Sequence, residues 1–194
     1  VSVLDFGATG DGTTDDTDAI QNAIYQLFIR NTNEETRRTL YFPAGVYKIT
    51  DVITIPPFSH FKGDGADSTF IIQYNSSVEC VVRTADSLNQ IYPSIGANSA
   101  ESPNHMYIEG INFENTTDNH VCIIDNTYDA RFQNVKFSGM HADDPLTTVG
   151  NSTNCVKMTS TPANDTHTIV FDQCEFEGTT FGLVIDDDVQ HVVV

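Results

Sequence analysis

The sequence predicts an all-β chain, wound as a solenoid of short strands and closed at its first end by one amphipathic α-helix. Three observations predict this. The segments YIEGINF (Tyr107–Phe113), RFQNVKF (Arg131–Phe137) and VFDQCEF (Val170–Phe176) share one spacing of apolar residues that ends in Phe. A second short strand follows each of them after a polar turn: VCIID, CVKM and GLVID. Only the stretch from Ile20 to Phe28 carries a helical period. Repeats of this kind describe coils stacked at the ordinary strand spacing of about 4.8 Å.

The chain opens on LDFGATGDGTTDDTDAIQNAI (Leu4–Ile24). Ile20, Ala23, Ile24 and Leu27 fall on one helix face, and Phe28 extends it. Asp15 and Asp16 stand where an N-cap belongs, with Asp18 in the first turn. Carboxylates there accept orphan N–H groups and face the positive end of the helix dipole. The helix is expected from Asp16 to about Phe28, inside a segment 1–30 that is otherwise loop. As a calcium loop the same aspartates fit poorly. Counting from Asp11, Asp16 stands where Gly is needed and Asn22 where Glu is needed.

After a polar loop, residues 40–75 read as the first strands. LYFPAGVYKI gives strand, turn and strand, and DVITIPPFSHFKGDGADSTFIIQY gives short β runs broken by Pro and Gly. Residues 105–194 read as regular coils, the middle one lengthened by the insertion MHADDPLTTVGNST. Ile111, Val135 and Cys174 should form one ladder, and Phe113, Phe137 and Phe176 another. Gly110, Asn134 and Gln173 each precede the middle apolar residue of their repeat. Laying Ile185 on Ile124 puts Val193 at the place of Phe132. The whole is read as one domain, 1–194, whose coils are expected to continue beyond Val194.

Composition narrows the function. A length of 194 residues with 39% hydrophobic content allows one domain with a real core. The net charge of −18 repels phosphate backbones and argues against nucleic-acid binding. It also repels polyanionic sugars unless a divalent cation intervenes. No run of 18 apolar residues occurs, so no membrane-inserted helix is expected. VSVLDFG has neither the basic nor the apolar region of a signal peptide. The four cysteines form no CxxC pair and are expected as free, buried thiols.

LDFGATGDGTTDDTDAIQNAI, LYFPAGVYKI and HFKGDGADSTFII, in that order, resemble the N-terminal region of the pectate-lyase-like superfamily of right-handed parallel β-helices. The form found in bacteriophage tailspikes and tail fibres looks nearest. The resemblance implies a homotrimeric virion part that contacts host surface polysaccharide and other tail proteins. The alternative it implies is a secreted or virion-borne polysaccharide lyase or glycoside hydrolase. It transfers no catalytic residue. The Asn-Thr-Asp, Asp-Asp, Gly-His-Gly and Arg-Ile-Lys motifs of the polygalacturonase branch are missing. Lyases of the superfamily often bind calcium, which is the one cofactor the resemblance allows; none is otherwise expected.

Candidate residues come from the chemistry itself. Glycoside hydrolysis needs two carboxylates across the bond, roughly 5–10 Å apart. Asp125 and Asp186 hold equivalent positions two coils apart, with Asp187 beside the latter; Asp143 and Asp144 are further acidic candidates. The competing reading makes Asp125 and Asp186 Asx turns at coil corners. A lyase base would come from Arg83, Arg131, Lys136 or Lys157, each expected as solvated surface charge. Arg131 and Lys136 are expected to face opposite ways. Tyr74, Tyr92, Tyr107 and Tyr128 are aromatic residues able to stack on sugars, with Tyr107 and Tyr128 beside coil strands as the ligand-binding candidates. Wedging into the core is the alternative for both. The scattered histidines are expected at surface or turn positions.

Overall fold

The structure is a computed structural model and describes residues 1–29, 39–84, 104–139, 154–160, 166–179, 181–185 and 188–194. Three parallel sheets run the length of the molecule. Sheet 1 holds β2 (Thr39–Phe42), β5 (His60–Gly63), β8 (Asn104–Glu109), β11 (Tyr128–Gln133), β14 (His167–Asp172) and β17 (Gln190–Val193). Sheet 2 holds β1 (Asp11–Asp15), β3 (Gly45–Ile49), β6 (Thr69–Gln73), β9 (Asn112–Asn115), β12 (Lys136–Ser138) and β15 (Glu175–Glu177). Sheet 3 holds β4 (Ile53–Ile55), β7 (Cys80–Thr84), β10 (His120–Asp125), β13 (Asn154–Thr159) and β16 (Phe181–Ile185). From β2 onward the chain visits sheets 1, 2 and 3 in turn, then begins the next coil. The fold is a right-handed parallel β-helix.

Parallel pairing in register places like on like. Phe113, Phe137 and Phe176 are direct partners in β9, β12 and β15. Their rings stack at 6.1 and 5.4 Å. Ile111 and Val135 accept from Lys136 and Glu175 of the next coil, so the second expected ladder forms too. Phe61, Ile108, Phe132 and Phe171 make a further inner column. These columns fill one continuous core between the sheets.

The corner from sheet 1 to sheet 2 is a single left-handed residue in three successive coils. Gly110 (φ 65°), Asn134 (φ 50°) and Gln173 (φ 55°) are the residues the repeat singles out. A left-handed residue turns the chain sharply, which Gly and Asn tolerate best. At Gly110 a side chain would also collide, because an added Cβ would lie 2.9 Å from the Gly63 carbonyl oxygen. A second left-handed column, Phe58, His105, Asp129, Thr168 and His191, marks the entry into sheet 1.

The first end is closed as expected, with different local details. The α-helix α1 spans Thr17–Ile24 and passes into a π-helical turn, Tyr25–Ile29, so the α-helix does not continue to Phe28. Ile20, Ala23 and Ile24 are buried in the core and α1 packs on β4. Asp16 is the N-cap residue, yet its carboxylate makes no capping bond. It reaches back to the Thr9 and Gly10 N–H groups at 2.7 and 3.1 Å. Asp15 accepts from Thr17 N–H and the Thr50 hydroxyl. Residues 11–15 are strand β1, paired with β3, where the sequence reads as loop. Gly and Asp disfavour strands intrinsically; the neighbouring edge of β3 overrides that preference.

One register differs from the sequence alignment. Val193 pairs with Val170, which pairs with Arg131, so Val193 stands one place before Phe132. The corner entering β17 carries one more residue than the corner entering β11. In that last coil Phe181, Ile185 and Val193 are about half exposed.

Candidate functional site

The outer face of sheet 1 carries a row of rings. Side chains of a strand alternate between faces, but a left-handed residue breaks the alternation and re-aims its neighbours. The column at Phe58, His105 and Asp129 does this at the start of each strand. Phe58 stacks on His105 at 5.1 Å, and His105 meets Tyr128 edge-on at 6.1 Å. Tyr128 then stacks on His167 at 5.5 Å. The row therefore crosses four coils, one ring per coil. Beside it, His60 and Tyr107 lie at 5.0 Å.

A polar row runs parallel to the rings. Glu109 accepts from Lys62 at 2.9 Å and lies 3.3 Å from His60 Nε2. The Tyr107 hydroxyl lies against Glu109 at 3.1 Å and against the Gln133 amide. Arg131 donates to Asp172 at 2.7 Å. Burial pushes the Glu109 carboxyl up, but hydrogen bonds from Lys62, Tyr107 and His60 outweigh it and hold the group below its ordinary range. Burial, together with the bond to Glu109, raises the Tyr107 phenol. The face thus sets a column of rings, stacked face to face in two of its three contacts, beside fixed donor–acceptor pairs that can engage sugar hydroxyls.

Sheet 3 holds an ion pair. Arg83 is 9% exposed and pairs with Asp125, 6% exposed, and with Glu79 at 3.1 Å. Asp125 also accepts from the Thr159 hydroxyl. Arg83 is therefore a buried charge, where the sequence suggested a solvated one. The cause is its place in the middle of a coil strand, where Asp125 of the next coil compensates it. Sheet 2 places Glu114, Ser138 and Glu177 in one column of successive coils. Burial, aided by the Glu177 charge, raises the Glu114 carboxyl. The Lys136 ammonium, 2.9 Å away, lowers that of Glu177.

The sequence candidates are thus divided among faces. Tyr107 and Tyr128 share the outer face of sheet 1, half-buried in the ring and polar rows. Asp125 belongs to sheet 3 and is engaged in its ion pair. Asp186, Asp187, Asp143, Asp144 and Tyr92 lie outside the described residues. Arg131 and Lys136 both face outward, on sheets 1 and 2; the corner at Asn134 between them removes the expected opposition. Among the described residues, no group of three or more His, Cys, Asp or Glu side chains is placed to hold a metal ion. Cys80, Cys122 and Cys155 are buried free thiols, and Cys174 is a half-buried one.

A family profile described as rhamnogalacturonase A/epimerase, pectate lyase-like, matches residues 1–191. The chain belongs to this family. Over 81 residues the pectate lyase-like chain is 42% identical to a glucan 1,3-beta-glucosidase of Cochliobolus carbonum, covering 39% of this chain and 10% of that protein. It is 40% identical over 81 residues to a capsule K30/K69-specific depolymerase of Klebsiella phage K64-1, covering 41% and 10%. The chain therefore spans about a tenth of these relatives. Among solved structures, the Dettilon tailspike protein superposes with a TM-score of 0.65 at 15% identity, over 95% of this chain and 30% of that one. ORF18 of Geobacillus virus E2 gives 0.63 at 19% identity, over 100% and 47%. These two likenesses establish the shared fold.

Sequence reasoning found the two tyrosines of the face and missed its histidines. His60, His105, His167 and His191, of six in the chain, all stand on strands of sheet 1. Their spacings look random along the sequence because the coils differ in length. No single repeat position marks them: His60 stands opposite Tyr107, and His167 opposite Tyr128 and Gln190.

Proposed function

We propose that this chain is part of a bacteriophage tail protein that holds host surface polysaccharide on the outer face of sheet 1, working in a virion or otherwise outside the cell. The observation that carries the reading is the ring row Phe58–His105–Tyr128–His167, which runs over four coils with His105 exposed and the other three half-buried, flanked by matched polar pairs. The likeness to a capsule-specific phage depolymerase and to tailspike folds supports the virion setting. A homotrimer, with other tail proteins as neighbours, is part of the proposal. Affinity electrophoresis through gels carrying capsule or lipopolysaccharide preparations tests it. Tyr128→Ala and His167→Ala should each weaken retardation about tenfold, the equivalent of one lost stacking contact of about 1.4 kcal/mol. Retardation unchanged by both substitutions removes the face from the account.

A degradative role is the second reading, and one observation favours it. Glu114 and Glu177 share a column two coils apart, so their backbone positions are separated by about 9–10 Å. That is near the spacing of an inverting pair. Their carboxyls are pushed in opposite directions, Glu114 up and Glu177 down, as an acid and a base need. The glucosidase and depolymerase relatives fit this reading. Release of reducing ends that Glu114→Gln abolishes, with retardation intact, would establish it; release that the substitution leaves unchanged would exclude this pair.

A further inference from the structure

We infer that the polysaccharide this face takes is a neutral one, lying along the solenoid axis. The inference rests on the reading that the face binds glycan, and adds the chemical class. Its basis is charge bookkeeping on the described residues. The two full cations of the face are already neutralised one coil along: Lys62 by Glu109 at 2.9 Å and Arg131 by Asp172 at 2.7 Å. His105 faces Asp129 at 3.3 Å. An anionic chain would therefore find no uncompensated Lys or Arg among the described residues of this face, on a molecule whose net charge is −18. A bridging divalent cation would need a cluster of acidic ligands, and none is formed among the described residues.

What the face does offer suits uncharged sugars. An ion-paired carboxylate keeps free lone pairs, and an ion-paired guanidinium keeps free N–H groups. Side by side they accept from and donate to vicinal hydroxyls without demanding a charge. Rings recur at 5.1, 6.1 and 5.5 Å along the axis, close to the coil spacing. An extended pyranose chain advances by a similar step per sugar, so successive sugars meet the edges of successive rings. Across the coils, by contrast, a chain would meet one ring and then leave the face.

Affinity electrophoresis of the full chain through gels carrying laminarin, dextran, mannan, alginate or polygalacturonate tests this. The expected result is retardation by at least one of the three neutral polymers and by neither acidic one. Tyr128→Ala should weaken that retardation about tenfold, and added salt should leave it unchanged. Retardation by alginate or polygalacturonate that Tyr128→Ala relieves overturns the inference and leaves the face as the binding surface. Retardation that Tyr128→Ala does not alter, or none by any of the five polymers, overturns both.

Discussion

At the scale of single residues, the aspartates of the opening stretch show how the fold uses charge. Asp11 accepts from the Thr14 and Thr13 N–H groups and the Thr14 hydroxyl, which lower its carboxyl well below the usual range. Burial of Asp15 works the other way, but bonds from Thr17 and Thr50 win and lower it too. A carboxyl lowered by folding contributes stability that is present above its unfolded value, about 3.9 for Asp, and lost as pH falls below that. Glu114 has the opposite sign. Its raised carboxyl contributes stability at low pH that is lost as pH rises through the folded value. Urea midpoints should accordingly fall below about pH 4 in the parent protein. Glu114→Gln should raise the midpoint at pH 7 and leave it unchanged near pH 3. A lower midpoint at pH 7 would mean that the Glu114 charge is compensated in the fold.

The elements show what the sequence made legible. Phe113, Phe137 and Phe176 could be aligned because an in-register parallel solenoid repeats its inward residues. Phe137 is fully buried between the other two and meets Phe132 and Phe171 edge-on. Phe137→Ala should cost about 3–5 kcal/mol in chemical unfolding, and a cost under 1 kcal/mol would mean the column is not packed. Strand β1 was not legible, because its Asp and Gly residues read as turn formers and only the edge of β3 pairs them. The Arg83–Asp125 pair was not legible either, since its partners are 42 residues apart in chain order. Arg83→Ala should cost about 3–5 kcal/mol by stranding a buried carboxylate. Arg83→Met with Asp125→Leu should recover most of that loss, as apolar replacements of buried pairs do. A double variant as unstable as the single one would show that the loss comes from other partners of Asp125, the Thr159 hydroxyl among them.

For the whole molecule, the solenoid converts coil length into surface pattern. Four successive coils contribute one ring each to the outer face of sheet 1, and two ion pairs link neighbouring coils there, so the outer pattern grows with coil number while the core stays the same width. The strands keep register across coils of different length, which is why histidines scattered in sequence gather on one face. Sedimentation velocity should give the mass of three chains; a monomer of 21.4 kDa would remove the trimer from the proposal. The account stands most directly on where sugar touches the protein. Titration with oligosaccharides of the neutral polymer that retards the chain, followed through the ring resonances of histidine, tyrosine and phenylalanine, locates that contact. The account predicts that Phe58, His105, Tyr128 and His167 shift together; shifts confined to residues of sheets 2 or 3 would contradict it.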